Sequence, residues 1–168
     1  GELTKEILVN NYITTKIDSL LPGEDELKTL FDEMKMNTQV KASHILVNTE
    51  EEAIKAIERI NKGEDFAEIA RELSIDPGSG PNGGDLDYFN YAQMVKPFSE
   101  AAFALEIGEV SKPVKSDYGY HIIKLTDKIV DEDITVESEK DKLIEYYKTN
   151  RYQDLLEELK SNAVIVNN

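Results

Sequence analysis

Only two histidines occur in the chain, His44 and His121. Each stands inside a run of apolar and β-branched residues, VKASHILV at 40–47 and YGYHIIKL at 118–125. Between them lies IDPGSGPNGGDLDYFNYAQMVKPF at 75–98, which carries Asp76 near its head and three large apolar residues, Leu86, Met94 and Phe98. Two imidazoles and a carboxylate support three kinds of chemistry. They can be a hydrogen-bonded polar pair inside a core, a two-histidine, one-carboxylate metal site, or the polar wall of a pocket whose floor is apolar. The chain has no cysteine, which removes thiolate catalysis, disulfides and thiolate metal sites together. Metal ligands are usually held by further polar partners, whereas these two strands are apolar on both faces. No metal and no cofactor are therefore expected.

The elements that must position these residues follow from periodicity. Val40–Val47 and Tyr120–Leu125 read as strands, and apolar residues on both faces make them central in a covered sheet. Thr49-Glu50-Glu51-Glu52 is a capping box that starts a helix ending near Gly63, and Asp65 starts another carrying Phe66, Ile69, Ala70 and Leu73. The Pro/Gly/Ser-rich stretch 76–84 breaks helical structure. A loop of that length in a small domain points to a binding loop or a lid. A short strand at Asp85–Phe89, a helix at Pro97–Leu105 stopped by Gly108, and a short strand at Lys112–Lys115 complete this part. Outside it, residues 3–21 and 27–34 carry helical apolar stripes that neither segment can bury alone. The long helix predicted at about Val136–Ser161 is their expected partner, and Ala163–Val166 reads as a short closing strand. The domain organisation expected is a helical segment at 1–39, an inserted α+β unit at 40–128, and a C-terminal helix and strand at 129–168 that complete the split helical appendage.

The charge balance narrows the partners. With 34 acidic and 19 basic residues the net charge is −15, so neither a nucleic-acid footprint nor a polybasic membrane patch is present. No apolar run approaches the roughly 18 residues of a membrane span. The chain opens on Gly1 rather than Met, which reads as a piece cut from a longer protein, with any targeting segment or lipid anchor outside it.

Four strings in register then carry a resemblance. VKASHILV, the GGDL-x-YF run at Gly83–Phe89, Gln93-Met94-Val95-Lys96-Pro97-Phe98, and EAAFALEIGEVSKPV leading into YGYHIIKL resemble the parvulin family of peptidyl-prolyl cis/trans isomerases over nearly all of 40–128. The flanking segments resemble, more loosely, the split chaperone module of secreted PrsA-like foldases. The resemblance implies an α+β fold with a four-stranded antiparallel sheet surrounded by helices. It implies isomerisation of non-phosphorylated X–Pro bonds in unfolded or secreted client polypeptides, outside the cytoplasm, without a cofactor. It places His44, Asp76 and His121 as catalytic residues and Leu86, Met94, Phe98 and Ser116 as substrate-binding residues. Asp87, Asn90 and Tyr118 depart from smaller residues common in the family. The acidic loop Asn48–Glu52 stands where phosphate-directed members carry basic residues, and it would repel a dianion. Two alternatives stand beside this reading: a chaperone that holds clients through its helical ends with an idle isomerase unit, and a metal site at His44, His121 and Asp76; the helical ends are also a surface through which a homodimer could form.

Overall fold

The computed structural model describes residues 2–166. These form two units, one built from residues 34–132 and the other from the two ends of the chain, up to residue 33 and from residue 133. The fold is α+β. Its four-stranded antiparallel sheet has the order β2-β1-β4-β3, with β1 at Thr38–Val47, β2 at Asp85–Asn90, β3 at Val114–Ser116 and β4 at Gly119–Val130. The two histidine strands are the central pair, as their two-sided apolar pattern requires.

Each face of the central pair closes its own core. On one face Val40, Ala42, Ile123 and Leu125 pack with Phe89, Phe98, Ala102 and Phe103. On the other, Ile45, Val47 and Ile122 meet Ala53, Ala56, Phe66, Ile69 and Ala70. The second set comes from α3 at Glu50–Asn61 and α4 at Phe66–Leu73. The Thr49 capping box forms in full: its hydroxyl accepts the Glu52 N–H while the Glu52 carboxylate receives the Thr49 N–H. The first core is covered by α5 at Lys96–Ala104, with Pro97 in its first turn, where a missing N–H costs nothing.

In the other unit, α1 at Glu2–Asp18 places Ile13 and Ile17 against Leu155 of α6 at Lys140–Val166, with Leu20, Tyr152, Leu156 and Leu159 around them. Helix α2 at Glu24–Glu33 buries Leu27, Leu30 and Phe31.

Several boundaries differ from the expectations. Ala163–Val166 is the last turn of α6, not a strand. A β-branched tail needs a neighbouring strand to satisfy its backbone, and the described sheet offers none, so helical continuation satisfies it internally. Asn167 and Asn168 lie outside the described residues. Helix α6 also starts later than Val136, because Thr135 and Ser138 bond each other's backbone in a turn before it. Gly108 does not stop α5, whose cap is Leu105. It takes φ +91° within the turn Glu106–Glu109, which the Glu109 N–H closes on the Glu106 carbonyl at 2.9 Å. Strand β4 runs five residues beyond Leu125 because Thr38–Lys41 pairs with Asp127–Val130.

Candidate active site

His44 and His121 project from adjacent strands toward the α5 face. His121 lies opposite Leu46 in the ladder and His44 opposite Ile123, so the two side chains are diagonal neighbours. Both are buried, at 5% and 4% exposure. Their rings stack at 5.3 Å between centroids with 18° between planes, and Nδ1 faces Nδ1 at 3.1 Å. Phe98 of α5 stands edge-on to both rings, at 5.4 and 5.2 Å.

Asp76 arrives by backbone zipping. The Leu46 N–H donates to Ser74 Oγ at 3.1 Å and the Ile75 N–H donates to the Leu46 carbonyl at 2.8 Å. The residues after α4 are thereby laid along the end of β1, and Asp76 Oδ2 comes within 2.8 Å of His44 Nε2. Ser79 Oγ joins them, 2.5 Å from Oδ2 and 3.0 Å from Nε2. At the other end of the pair, Ser116 Oγ sits 2.6 Å from His121 Nε2 and accepts the Tyr118 N–H at 3.1 Å.

Two glycines make these approaches possible. A Cβ on Gly84, at φ +84°, would lie 2.2 Å from the His44 carbonyl oxygen, and one on Gly119, at φ +136°, 2.4 Å from that of Val47. Only residues without a side chain fit where the loops touch β1 so closely. Between them β2 carries a bulge: Leu86 and Asp87 lie opposite the single residue Ala42, and Asp87 takes φ +57°. The aspartate holds a left-handed conformation at a position that favours glycine, with its N–H bonded to Asp85 Oδ1 at 2.9 Å.

The protonation states follow from these partners. Burial, the largest influence on Asp76, pushes its carboxyl up, but hydrogen bonds from Ser79, His44 and the Gly78 N–H together outweigh it and hold the group at about 2. Burial lowers His121 to about 4, helped by the neighbouring His44 and partly opposed by Asp76. At neutral pH His121 is uncharged and Asp76 is a carboxylate. With a neutral His44 one arrangement satisfies every contact. Ser116 O–H donates to His121 Nε2, His121 Nδ1–H to His44 Nδ1, and His44 Nε2–H to Asp76. All four ring nitrogens are thereby used, and no group of three possible metal ligands occurs among the described residues.

Beside the pair opens a cavity of about 280 Å³. Leu86 of the β2 bulge, Met94 and Phe98 form one part of its wall, with Gln93 and Val95 beside them; Leu46, Asp76 and Tyr118 form another. Six of the seven residues singled out in the sequence thus reach one cavity. Ser116 does not line it and acts on it only through His121. Sequence reasoning passed over Ser79, which is 3% exposed. Its signal was the Asp-Pro-Gly-Ser spacing, which turns a hydroxyl back onto the aspartate.

The sheet order, the buried histidine pair and the apolar cavity beside it are those of one class of protein. The PPIC-type peptidyl-prolyl isomerase (PPIase) domain matches residues 26–129, and the chain belongs to that family. It is 47% identical over 129 residues to the foldase protein PrsA of Geobacillus kaustophilus, a match that covers 76% of this chain and 45% of that protein. Among solved structures, the peptidylprolyl isomerase PrsA of Bacillus anthracis superposes with a TM-score of 0.66 at 33% identity, over 90% of this chain and 69% of that one. NmPin, the parvulin of Nitrosopumilus maritimus, is 51% identical over 54% of this chain and 97% of its own, with a TM-score of 0.51. The chain therefore spans less than half the length of the curated foldase it matches.

Proposed function

We propose that the 34–132 unit is an active peptidyl-prolyl isomerase acting on non-phosphorylated X–Pro bonds of unfolded polypeptides. The observation that carries this reading is the apolar wall of Leu86, Met94 and Phe98 set against the buried histidine pair, of which His121 is uncharged at neutral pH. Rotation about an X–Pro bond faces a barrier of about 18–20 kcal/mol because amide resonance holds it planar. No bond breaks, so the catalyst needs only to favour the twisted state, in which resonance and its charge separation are lost. An apolar cavity disfavours the polar planar form relative to the twisted one. Gripping the proline ring at Leu86, Met94 and Phe98 also fixes the axis about which the preceding carbonyl turns. In this reading His44 and His121 are structural and electrostatic parts of the site. Their nitrogens are occupied with each other, Asp76 and Ser116, and the reaction requires no net proton transfer. Asp76 anchors the chain of donors, and Ser116 holds the tautomer of His121.

The test is exchange NMR on a short, non-phosphorylated Ala-Pro peptide, for this chain and for Met94→Ala. Catalysis that falls in a folded variant supports the reading; interconversion no faster than in buffer ends it.

A second activity is favoured by the helical unit. Ile7, Leu8 and Tyr12 of α1 are more than half exposed, and a cavity of about 380 Å³ between α1 and α6 has Val9, Leu156 and Leu159 in its wall. We propose that this unit, built from the residues up to 33 and from 133, holds apolar client segments outside the cytoplasm, in keeping with the PrsA foldases it resembles. No helix among the described residues is long and apolar enough to cross a membrane. Leu8→Lys with Tyr12→Lys should abolish suppression of client aggregation while leaving peptide isomerisation intact; undiminished suppression would refute this role.

A further inference from the structure

The cavity lies on the α5 face of the sheet and draws its wall from two groups of residues. Leu86, Met94 and Phe98 reach it from β2 and α5. Leu46, Asp76 and Tyr118 reach it from the C-terminal end of β1, the loop after α4 and the β3–β4 turn. The Ile75–Leu46 backbone bond sets Asp76 beside Leu46. The close seat of Gly119 on the Val47 carbonyl and the Tyr118 N–H bond to Ser116 hold Tyr118 at the same end. Leu46 is 8% exposed and forms an apolar floor, whereas the Tyr118 side chain stands 67% exposed at the mouth. Asp76 is the one carboxylate in the cavity wall, a quarter of its side chain is open, and no lysine or arginine lines the cavity. Its oxygens already accept bonds from His44, Ser79 and Gly78, but a carboxylate offers about four lone-pair sites, so it can take one more donor. Exposed Glu50, Glu51 and Glu52 follow β1 in the chain, and exposed Asp117 precedes Tyr118. Of the nearby cations, Lys55 is tied to Glu51 at 3.2 Å and Lys115 is exposed on β3.

We propose that this end of the cavity selects the residue before the proline, and selects it for a long cationic side chain, lysine or arginine. The aliphatic stem would lie on Leu46 and the charged head between the Asp76 carboxylate and the face of Tyr118. An apolar floor with an aromatic ring and a carboxylate at its rim suits such a side chain, which buries its stem and keeps its head paired. A glutamate or phosphoserine in the same place would face Asp76 and the Glu50–Glu52 run. The inference rests on the reading of the cavity as an X–Pro site.

Exchange NMR on Ala-X-Pro-Ala peptides tests it, with X as lysine, norleucine or glutamate. Norleucine keeps the stem and removes the charge. The lysine peptide should be turned over with a kcat/KM about two- to fivefold above the norleucine peptide at low salt, and glutamate should fall below both. The lysine advantage should shrink toward unity in about 0.5 M NaCl, where exposed charges are screened. Tyr118→Leu, which keeps an apolar side chain, should lower the lysine-to-norleucine ratio, and the wild-type salt series decides the matter should that variant not fold. Equal turnover of lysine and norleucine, or a ratio insensitive to salt, overturns the selectivity alone. Absence of turnover for all three peptides overturns the X–Pro reading beneath it.

Discussion

Acidification should loosen the 34–132 unit through one side chain well before its carboxylates are protonated. His121 titrates at about 4 in the fold against 6.5 as a free histidine. The unfolded chain therefore takes up this proton first as the pH falls, and stability declines wherever the unfolded state holds more protons. The stabilisation is complete above 6.5, shrinks steadily below it, and is spent once the pH passes through about 4. Integrating between those two values gives a loss of about 2 kcal/mol on going from pH 7 to pH 5, and about 3 kcal/mol by pH 4. That is a large share of the roughly 5–15 kcal/mol that holds a domain together. The assay is urea unfolding from pH 7 to 4.5, followed on amide NMR signals of β1 and β4 so that the helical unit does not contribute. His121→Asn is measured in parallel. The stability-versus-pH slope of the wild type should exceed that of the variant by about 1.2 kcal/mol per pH unit between pH 4.5 and 6, the signature of nearly one extra proton on the unfolded chain. Imidazole carbon shifts of His121 should show a midpoint near 4. A midpoint of 6 or above, or equal slopes in the two proteins, would refute the claim that burial holds this ring neutral.

Other outcomes follow from the same geometry. Asp76→Asn removes the ionised anchor of the donor chain, and His121 should then titrate lower still, since Asp76 is the one influence that raises it; an imidazole NMR titration checks this. Phe98→Ala leaves a void beneath both imidazoles in a core where Phe98 is 2% exposed, and should cost about 3–5 kcal/mol of stability in denaturant titration. Asp87→Gly relieves a left-handed aspartate at an exposed bulge and should stabilise the chain by about 0.5–1 kcal/mol. Gly84→Ala drives a methyl group into the His44 carbonyl and should cost about 3 kcal/mol or more, seen as loss of the β1–β2 amide signals.

Much of this was written in local pattern. The two-sided apolar runs around the histidines placed both strands at the centre of the sheet, and Thr49 with Glu52 announced α3. The helical stripe at 3–21 found its partner in α6 because neither can bury Ile13 or Leu155 alone. What the pattern could not carry is relative orientation. Nothing in the order of residues says that the two imidazoles meet Nδ1 to Nδ1, or that Ser116 bonds to a ring instead of facing the cavity. The first outcome is set by a diagonal register between β1 and β4, the second by the β3–β4 pairing. The tail Ala163–Val166 misled for a related reason: β-branched residues favour a strand only when a neighbouring strand is there to receive them. Thr126–Val130 hides its strand because Thr126, Asp127 and Lys128 break the apolar run, and its structure comes from the pairing partner Thr38–Lys41.

The row Ser116, His121, His44 and Asp76 joins a hydroxyl through imidazoles to a carboxylate, the same connectivity by which hydrolases turn a serine into a nucleophile. In the proposed isomerase a bound peptide must not be cut, and two features keep this row harmless. His121 is held near 4, so it is a weak base toward the Ser116 proton at neutral pH. The serine oxygen lies outside the cavity wall, pinned by the Tyr118 N–H, so the surface offered to a peptide in the cavity does not include the Ser116 hydroxyl. An extended substrate can therefore be gripped, turned and released with its backbone intact.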